Sequence, residues 1–420
     1  MPICSRLYGD TMIGYWAFIN TIATLIVPIA DFGLTNAIMV ETDDLAAAAV
    51  YRVSTTFVLA VSIATGIVSL VCFAFIFPDS VDFHPLFTAG YLALAVYSMQ
   101  RIHICYTYLN RQSNYAVLMK NPITTNISFG IVSTFLALLG QIRYGYHLGW
   151  IFGQFATIIH MRRYLPRRTL MLRKNDLKAV IKRNSQFVTM QMPTNILNQI
   201  KGQIPSLLIN FFFGVEALGQ YSITMRLIYI PINLLGTSIG RVFFQTSSDL
   251  VREGKSVGDF TYKSLSNTMK IGIFPMVAIM AAGDVAINIF LGEGWQVAGI
   301  VIRILVIQAF FSFLNVATQG LYITINKQRY GVICGIAQAT STIVAITTGA
   351  IAFNSLYIGM ALLALGFVVI QVVFFCSLFK AMGEGYGKYI RNALGCIAII
   401  FSAYALMRFP LLLLNLVSTW

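Results

Sequence analysis

Five cations lie inside apolar stretches of this chain: Arg101, Lys201, Arg226, Arg241 and Arg303. A charge at the centre of a bilayer costs at least about 2.5 to 3.5 kcal/mol on insertion scales, so such residues belong inside a helix bundle or a wet cavity. Guanidinium groups chelate phosphate oxygens in pairs and an ammonium acts as a point charge, so the chemistry they suit is the binding of an anion, with phosphate or pyrophosphate the natural candidate. Arg241 lies near the inner end of its stretch and Arg303 near the outer end of its own, where each can snorkel. Arg101, Lys201 and Arg226 lie deeper. Asp31 and Asp284 can neutralise two of the five as structural ion pairs, which leaves a surplus of positive charge.

Polar residues recur at helical spacing around these charges. Asn20, Thr24, Asp31 and Thr35 lie at offsets that fall on one face of a 3.6-residue helix. Gln191, Thr194, Asn195, Asn198 and Lys201 form a broader wet face interrupted by Pro193 and Pro205, and Ser222, Arg226, Tyr229, Asn233 and Thr237 form a third. Gln308, Ser312, Asn315 and Gln319 form a fourth. Such faces turn inward, either to bond neighbouring helices, at about 0.6 kcal/mol per contact, or to line a watery passage. The charges on the same stripes favour the passage. Asn198, Asn233 and Arg303 therefore join Arg101, Lys201 and Arg226 as candidate substrate-binding residues. Prolines 28, 122, 193, 205, 231 and 275 fall within these stretches and are candidate hinges.

Helices must carry these residues. Of 420 residues 57% are hydrophobic and 10% charged, with a mean hydropathy of +0.75, far from the quarter or so of charged residues in soluble domains. Apolar runs of about 20 residues, enough to cross a core of about 30 Å, recur along the chain. Spans are expected near 14–40, 53–76, 86–109, 116–139, 146–161, 187–213, 219–246, 268–291, 298–325, 330–352, 357–379 and 389–407. Backbone facing lipid must satisfy its own polar groups, so the chain reads as all-α.

The net charge of +14 is distributed as in a membrane protein and does not point to nucleic acid. Arg162, Arg163, Arg167, Arg168, Arg173, Lys174, Lys178, Lys182 and Arg183 face only Asp176 within one loop, which the positive-inside rule places in the cytoplasm. Alternation from that loop puts Arg111, Arg252, Lys327 and Lys380 inside as well. Asp10, Asp79, Asp82, Glu216 and Glu293 fall outside, with Arg6, Arg143 and Arg408. The loop can serve topology alone or also touch anionic lipid head groups. The six cysteines show no paired spacing and the four histidines are scattered, so neither disulfide, metal nor cofactor is implied. No apolar leader occupies Met1–Asp10.

The two halves share a pattern. Gly9-x4-Gly14 leads to Pro28-x4-Gly33, and Gly214-x4-Gly219 leads to Pro231-x4-Gly236. Internal repeats of this kind are common in secondary transporters. A full span precedes Gly214 but almost nothing precedes Gly9, so one N-terminal span is expected to be missing. Phe409–Trp420 likewise reads as an unfinished helix. The alternative is that both ends are interfacial segments.

Asp31-Phe32-Gly33-Leu34, and Phe213-Gly214-Val215-Glu216-Ala217-Leu218-Gly219-Gln220-Tyr221-Ser222 running on to Arg226-Leu227 and Pro231, resemble the Wzx-like polysaccharide flippases. Their superfamily also holds multidrug and toxic-compound extruders and lipid II flippases. The resemblance implies about 12 transmembrane helices in two bundles forming a V around a central cavity, without the first family helix and part of the last. On that scheme 1–161 is an N-terminal bundle of five spans, 162–186 a basic cytoplasmic loop, 187–379 a six-helix bundle and 380–420 an additional span plus an incomplete helix. It further implies a non-enzymatic flippase of the bacterial inner membrane that moves an undecaprenyl-diphosphate-linked oligosaccharide by alternating access. The product would be a surface polysaccharide such as O-antigen, lipopolysaccharide or capsule, with membrane lipids, a polymerase and a chain-length regulator as partners. Arg101, Lys201 and Arg226 would then meet the diphosphate, and Asp31 and Asp284 would be the candidates for proton or sodium coupling. The competing readings are a multidrug extruder, which suits an acidic cavity, and a membrane-embedded polymerase or glycosyltransferase, for which the lone Asp43-Asp44 pair is thin support.

Overall fold

The computed structural model describes residues 2–41, 43–73, 83–165, 180–318 and 320–413. The centre of the basic loop, Asp79, Asp82, Gln319 and the last seven residues lie outside them. Every regular element among the described residues is helical. Eight helical stretches there are long and apolar enough to cross a bilayer, and the chain is an all-α, multi-pass membrane protein. One of the eight, Phe187–Arg252, takes in two of the expected spans. Helices Pro85–Arg111, Tyr115–Leu138 and Ile142–Arg162 stand where three more were expected but are not among the eight.

Two compact units divide the chain, Met1–Gln203 and Ile204–Trp420. In the first, α1 (Pro2–Ile26) is kinked at Gly9 and is followed by 3-10 turns at Val27–Ile29 and Leu34–Asn36 and a helical turn at Ala37–Val40. Next come α2 (Asp44–Val71), α3 (Pro85–Arg111), α4 (Tyr115–Leu138) and α5 (Ile142–Arg162). The Asp43 carboxylate caps α2 by accepting the Ala46 N–H at 3.4 Å. Helix α4 stops where Gly140, at φ +79°, turns its N–H back to the Ala137 carbonyl while the Gln141 N–H reaches that of Leu136.

Helices α2 and α3 pack as one pair and α4 and α5 as another. The second pair closes through small residues four apart. A Cβ on Gly149 would lie 2.7 Å from that of Ser133, and one on Gly153 2.7 Å from the Thr125 carbonyl oxygen. Small residues at this spacing let membrane helices approach closely enough for dispersion to hold them. Trp16, Phe129 and Trp150 pack around Tyr146 or one another edge-on, which fastens α1 to the same pair.

Helix α6 (Met192–Pro231) runs from the first unit into the second and is kinked at Gly214. After a π-helical turn at Ile232–Gly236 follow α7 (Thr237–Arg252), α8 (Gly258–Leu291), α9 (Gln296–Ala317), α10 (Gln328–Ile351), α11 (Leu356–Ala381) and α12 (Gly387–Leu413). Helix α8 packs on α9 and α12, α10 on α11, and α9 on α11. Phe310, Phe311, Phe313, Phe375, Phe379 and Tyr389 are fully buried and form much of this core.

Candidate functional site

The chain loses helical geometry just after α1 because Pro28 has no N–H to give, and Asp31 satisfies the backbone groups that the break exposes. Its Oδ1 accepts the Gly33 N–H at 3.1 Å; its Oδ2 accepts the Thr35 N–H at 2.7 Å and the Thr35 hydroxyl. Gln100 of α3 donates to Thr35 Oγ1 at 3.3 Å and ties the break to its neighbour. Phe32 and Gly33 are both left-handed, at φ +54° and +75°. Gly33 is required for a second reason. A Cβ there would lie 2.9 Å from the Phe187 carbonyl oxygen and 3.2 Å from the Met192 nitrogen, because the π-helical turn Phe187–Gln191 and the start of α6 cross directly over it.

A cavity of about 370 Å³ opens beside this crossing, wholly within the first unit. The break contributes Val27, Pro28, Asp31, Gly33, Thr35 and Asn36; α3 contributes Gln100 and His103; α6 contributes Asn195, Asn198 and Gln199. Among the described residues that line it, Asp31 alone is an acid or a strong base. Broken helices are where transporters expose backbone and side-chain polar groups to a ligand, and this cavity has that construction. Below it, Glu41 is buried and pairs with Arg183 at 2.8 Å, while the Asn184 amide donates to Glu41 Oε1 at 3.0 Å. Arg111 donates to the carbonyls of Ile38 and Glu41 and pairs with Asp44 at 3.0 Å. These bonds fix the chain that follows the break to α3 and to the chain leading into α6.

Of the residues singled out by sequence, Asp31 and Asn198 meet at this cavity, with Thr35 and Asn195 of the same stripes and Pro28 beside them. Arg101 does not line it. Its guanidinium donates to the Thr55 hydroxyl and to Tyr51 Oη at 2.6 Å and lies 4.8 Å from the Tyr51 ring centre, so it binds α3 to α2. Lys201 is exposed on α6, three residues beyond Asn198. In the second unit Arg226 is half-buried, Asn233 and Arg241 are exposed, and the Asn233 carbonyl accepts the Thr237 hydroxyl.

Asp284 and Arg303 come together with a residue expected elsewhere. Arg408, assigned by its position to the outer surface, is only 4% exposed and grips the Asp284 carboxylate at 2.9 and 2.7 Å. Arg303 Nη1 lies 3.9 Å from the same carboxylate and its Nε donates to the Gly299 carbonyl at 3.3 Å. Arg303 is thus held inside the unit and does not snorkel outward. Asn20 and Thr24 of the first stripe take the plainer role. The Asn20 amide donates to the Trp16 carbonyl and to Tyr91 Oη, and Thr24 bonds back to the Asn20 carbonyl. In the fourth stripe Gln308 and Ser312 face Tyr229 across a cavity of about 10 Å³, close to the least that admits one water.

Gln100, His103, Asn36 and Gln199 line the large cavity without having stood out in the sequence. Two signals were there to find: Gln100 and His103 are three apart on α3, and Asn195 and Gln199 four apart on α6.

A family model described as "Polysaccharide biosynthesis protein" matches residues 3–300. The teichuronic acid biosynthesis protein TuaB of Bacillus subtilis (strain 168) is 24% identical over 128 residues, which is 29% of this chain and 25% of that protein. The match thus spans about a quarter of that curated relative's length. Among solved structures, the lipid II flippase MurJ in an inward closed conformation aligns with a TM-score of 0.73 at 15% identity, covering 96% of this chain and 90% of its own. An inward-facing multidrug resistance MATE family transporter of the MOP superfamily aligns with a TM-score of 0.67 at 13% identity, covering 91% and 92%. At these identities the likeness is one of fold.

Proposed function

From the premise that this chain belongs to the polysaccharide biosynthesis protein family, we propose that it is a flippase for an undecaprenyl-diphosphate-linked oligosaccharide, working by alternating access in the bacterial inner membrane. The observation that carries this reading is the amide-rich cavity at the helix break, where Gln100, Asn195, Asn198 and Gln199 offer both donors and acceptors in place of water. Sugar hydroxyls need such partners to leave bulk solvent. Exposed Lys201, one turn beyond Asn198 on α6, is a candidate cation for the diphosphate, and half-buried Arg226 is another. Useful binding is moderate and unequal between the two access states, since a ligand held equally well by both shifts nothing. The fold shared with a lipid II flippase supports transport over catalysis. The polymer would be a surface polysaccharide, with a polymerase and a chain-length regulator acting after transport.

Complementation of a strain lacking this gene tests the reading. Lys201→Ala and Arg226→Ala are each expected to cut polysaccharide export at normal membrane abundance; normal export by both would remove the cations from the pathway. One observation favours a second reading: the carboxylate of Asp31 in a cavity whose described lining holds no lysine or arginine also suits organic cations. Efflux of cationic dyes by cells or proteoliposomes that export no polysaccharide would support a multidrug extruder instead.

A further inference from the structure

We propose that the cavity at the helix break is a sugar subsite selective for an uncharged or amino-bearing ring, and that it excludes uronic acids; this rests on the flippase reading above. The cavity, at about 370 Å³, lies near the lower end of the range of about 300–1,000 Å³ usual for small-molecule sites, a size for a ring or two and not for a whole oligosaccharide with its lipid. Its walls divide by chemistry. Val27 and Pro28 offer an apolar patch on which the C–H face of a pyranose can lie, while Asn36, Gln100, Asn195 and Asn198 present amides that can donate to one hydroxyl and accept from the next.

Asp31 sets the charge preference. Its carboxylate is 1% exposed and already accepts three hydrogen bonds from Gly33 and Thr35. A carboxylate offers about four acceptor positions, so one remains for a hydroxyl or ammonium donor of the ligand. A uronate would instead bring a second carboxylate to a cavity whose described lining holds no lysine or arginine. The mouth of the cavity is open at Asn198, but the Asp31 carboxylate is itself 1% exposed, so a second carboxylate brought beside it is disfavoured. His103 is the other titratable group on the wall and lies within electrostatic reach of Asp31. Lys201 lies outside the lining, which separates the place suited to the sugar from the cation suited to phosphate.

The test is binding of short-chain polyprenyl-diphosphate-linked monosaccharides to the purified full-length protein in nanodiscs, followed by intrinsic tryptophan fluorescence. It is run at pH 8, where an ordinary imidazole with pKa about 6.5 is uncharged. The probes carry N-acetylglucosamine, glucosamine or glucuronic acid on the same lipid diphosphate, with the bare lipid diphosphate as control. The glucuronate probe is expected to bind at least about tenfold more weakly than the other two sugars. Asp31→Asn is expected to erase that gap. Asn198→Lys, on an exposed helix face where folding is not at stake, is expected to tighten the glucuronate probe by about tenfold relative to the neutral one. Equal or tighter binding of glucuronate by the wild type overturns the selectivity and leaves the flippase reading standing. Failure of all three sugar probes to bind better than the bare lipid overturns both.

Discussion

Arg408 and Asp284 form a buried two-pronged ion pair that fastens α12 to α8, with guanidinium nitrogens 2.9 and 2.7 Å from the carboxylate oxygens. Arg303 of α9 stands 3.9 Å away on the same carboxylate. One acid therefore serves two bases from two other helices. Any coupling role for Asp284 would first need its release from Arg408.

Arg408→Met strips Asp284 of its closer partner while keeping much of the side-chain volume. Breaking a buried pair on one side costs about 3–5 kcal/mol when the charge left behind has no other partner, and Arg303 at 3.9 Å offsets part of that cost. The variant is expected to unfold at clearly lower temperature than the wild type in detergent, and Arg408→Lys, which supplies a single ammonium, to recover only part of the loss.

Gly9 and Gly214 give a second prediction. Both break their helices with nearly the same backbone angles, φ 71° and ψ 178° at Gly9 and φ 83° and ψ 176° at Gly214. This region is essentially confined to glycine, and forcing another residue into it costs about 1–3 kcal/mol. A Cβ at either position would have no neighbour within 4 Å, so the cost is backbone strain alone. Gly9→Ala and Gly214→Ala are accordingly expected to destabilise the protein by similar amounts in denaturant titrations, and a difference above about 1.5 kcal/mol would break the equivalence.

The repeat was legible in the sequence because glycine is the residue that this backbone geometry requires. Its continuation was not. Pro28 is followed by an open break with Gly33 at φ +75°, whereas Pro231 is followed by a π-helical turn with Gly236 at φ −63°. The third residue after Pro28 is Asp31, whose carboxylate takes the stranded N–H groups; the third after Pro231 is Leu234, which can accept nothing. Periodicity marks the wet faces that carry Asp31 and Asn198, both of which line the cavity. It could not tell what stands opposite a face. A local pattern points Arg101 at phosphate because Tyr51 and Thr55, on another helix, are invisible to it. Arg408 ended an apolar run and so looked like a surface anchor, until Asp284, 124 residues away, gave it a buried partner.

The bonds of Arg101 imply that it holds α2 and α3 together. Arg101→Gln removes hydrogen bonds from a charged donor, each worth about 1.5–3 kcal/mol, along with a cation–π contact. The expected signature is a lowered melting temperature with export falling only in proportion to folded protein. Export lost at unchanged stability would return Arg101 to the transport pathway.

Asp31 offers the sharpest separation of structure from transport. In Asp31→Ala the Gly33 and Thr35 N–H groups lose their acceptor beside a crossing too tight to rearrange, since Gly33 already lies against Phe187 and Met192. Each buried donor left unpaired costs about 1–3 kcal/mol, so the break itself should loosen. Asp31→Asn retains one carbonyl oxygen and can still accept the Thr35 N–H, but it has no charge. If Asp31 only caps the break, the asparagine variant is expected to recover most of the stability that alanine loses and to export normally. If its charge also serves transport, the asparagine variant is expected to fold and yet fail to export, or to change which sugar it accepts. Melting temperature and polysaccharide export, measured on the same pair of variants, separate the two roles because the hydrogen bond survives the substitution and the charge does not.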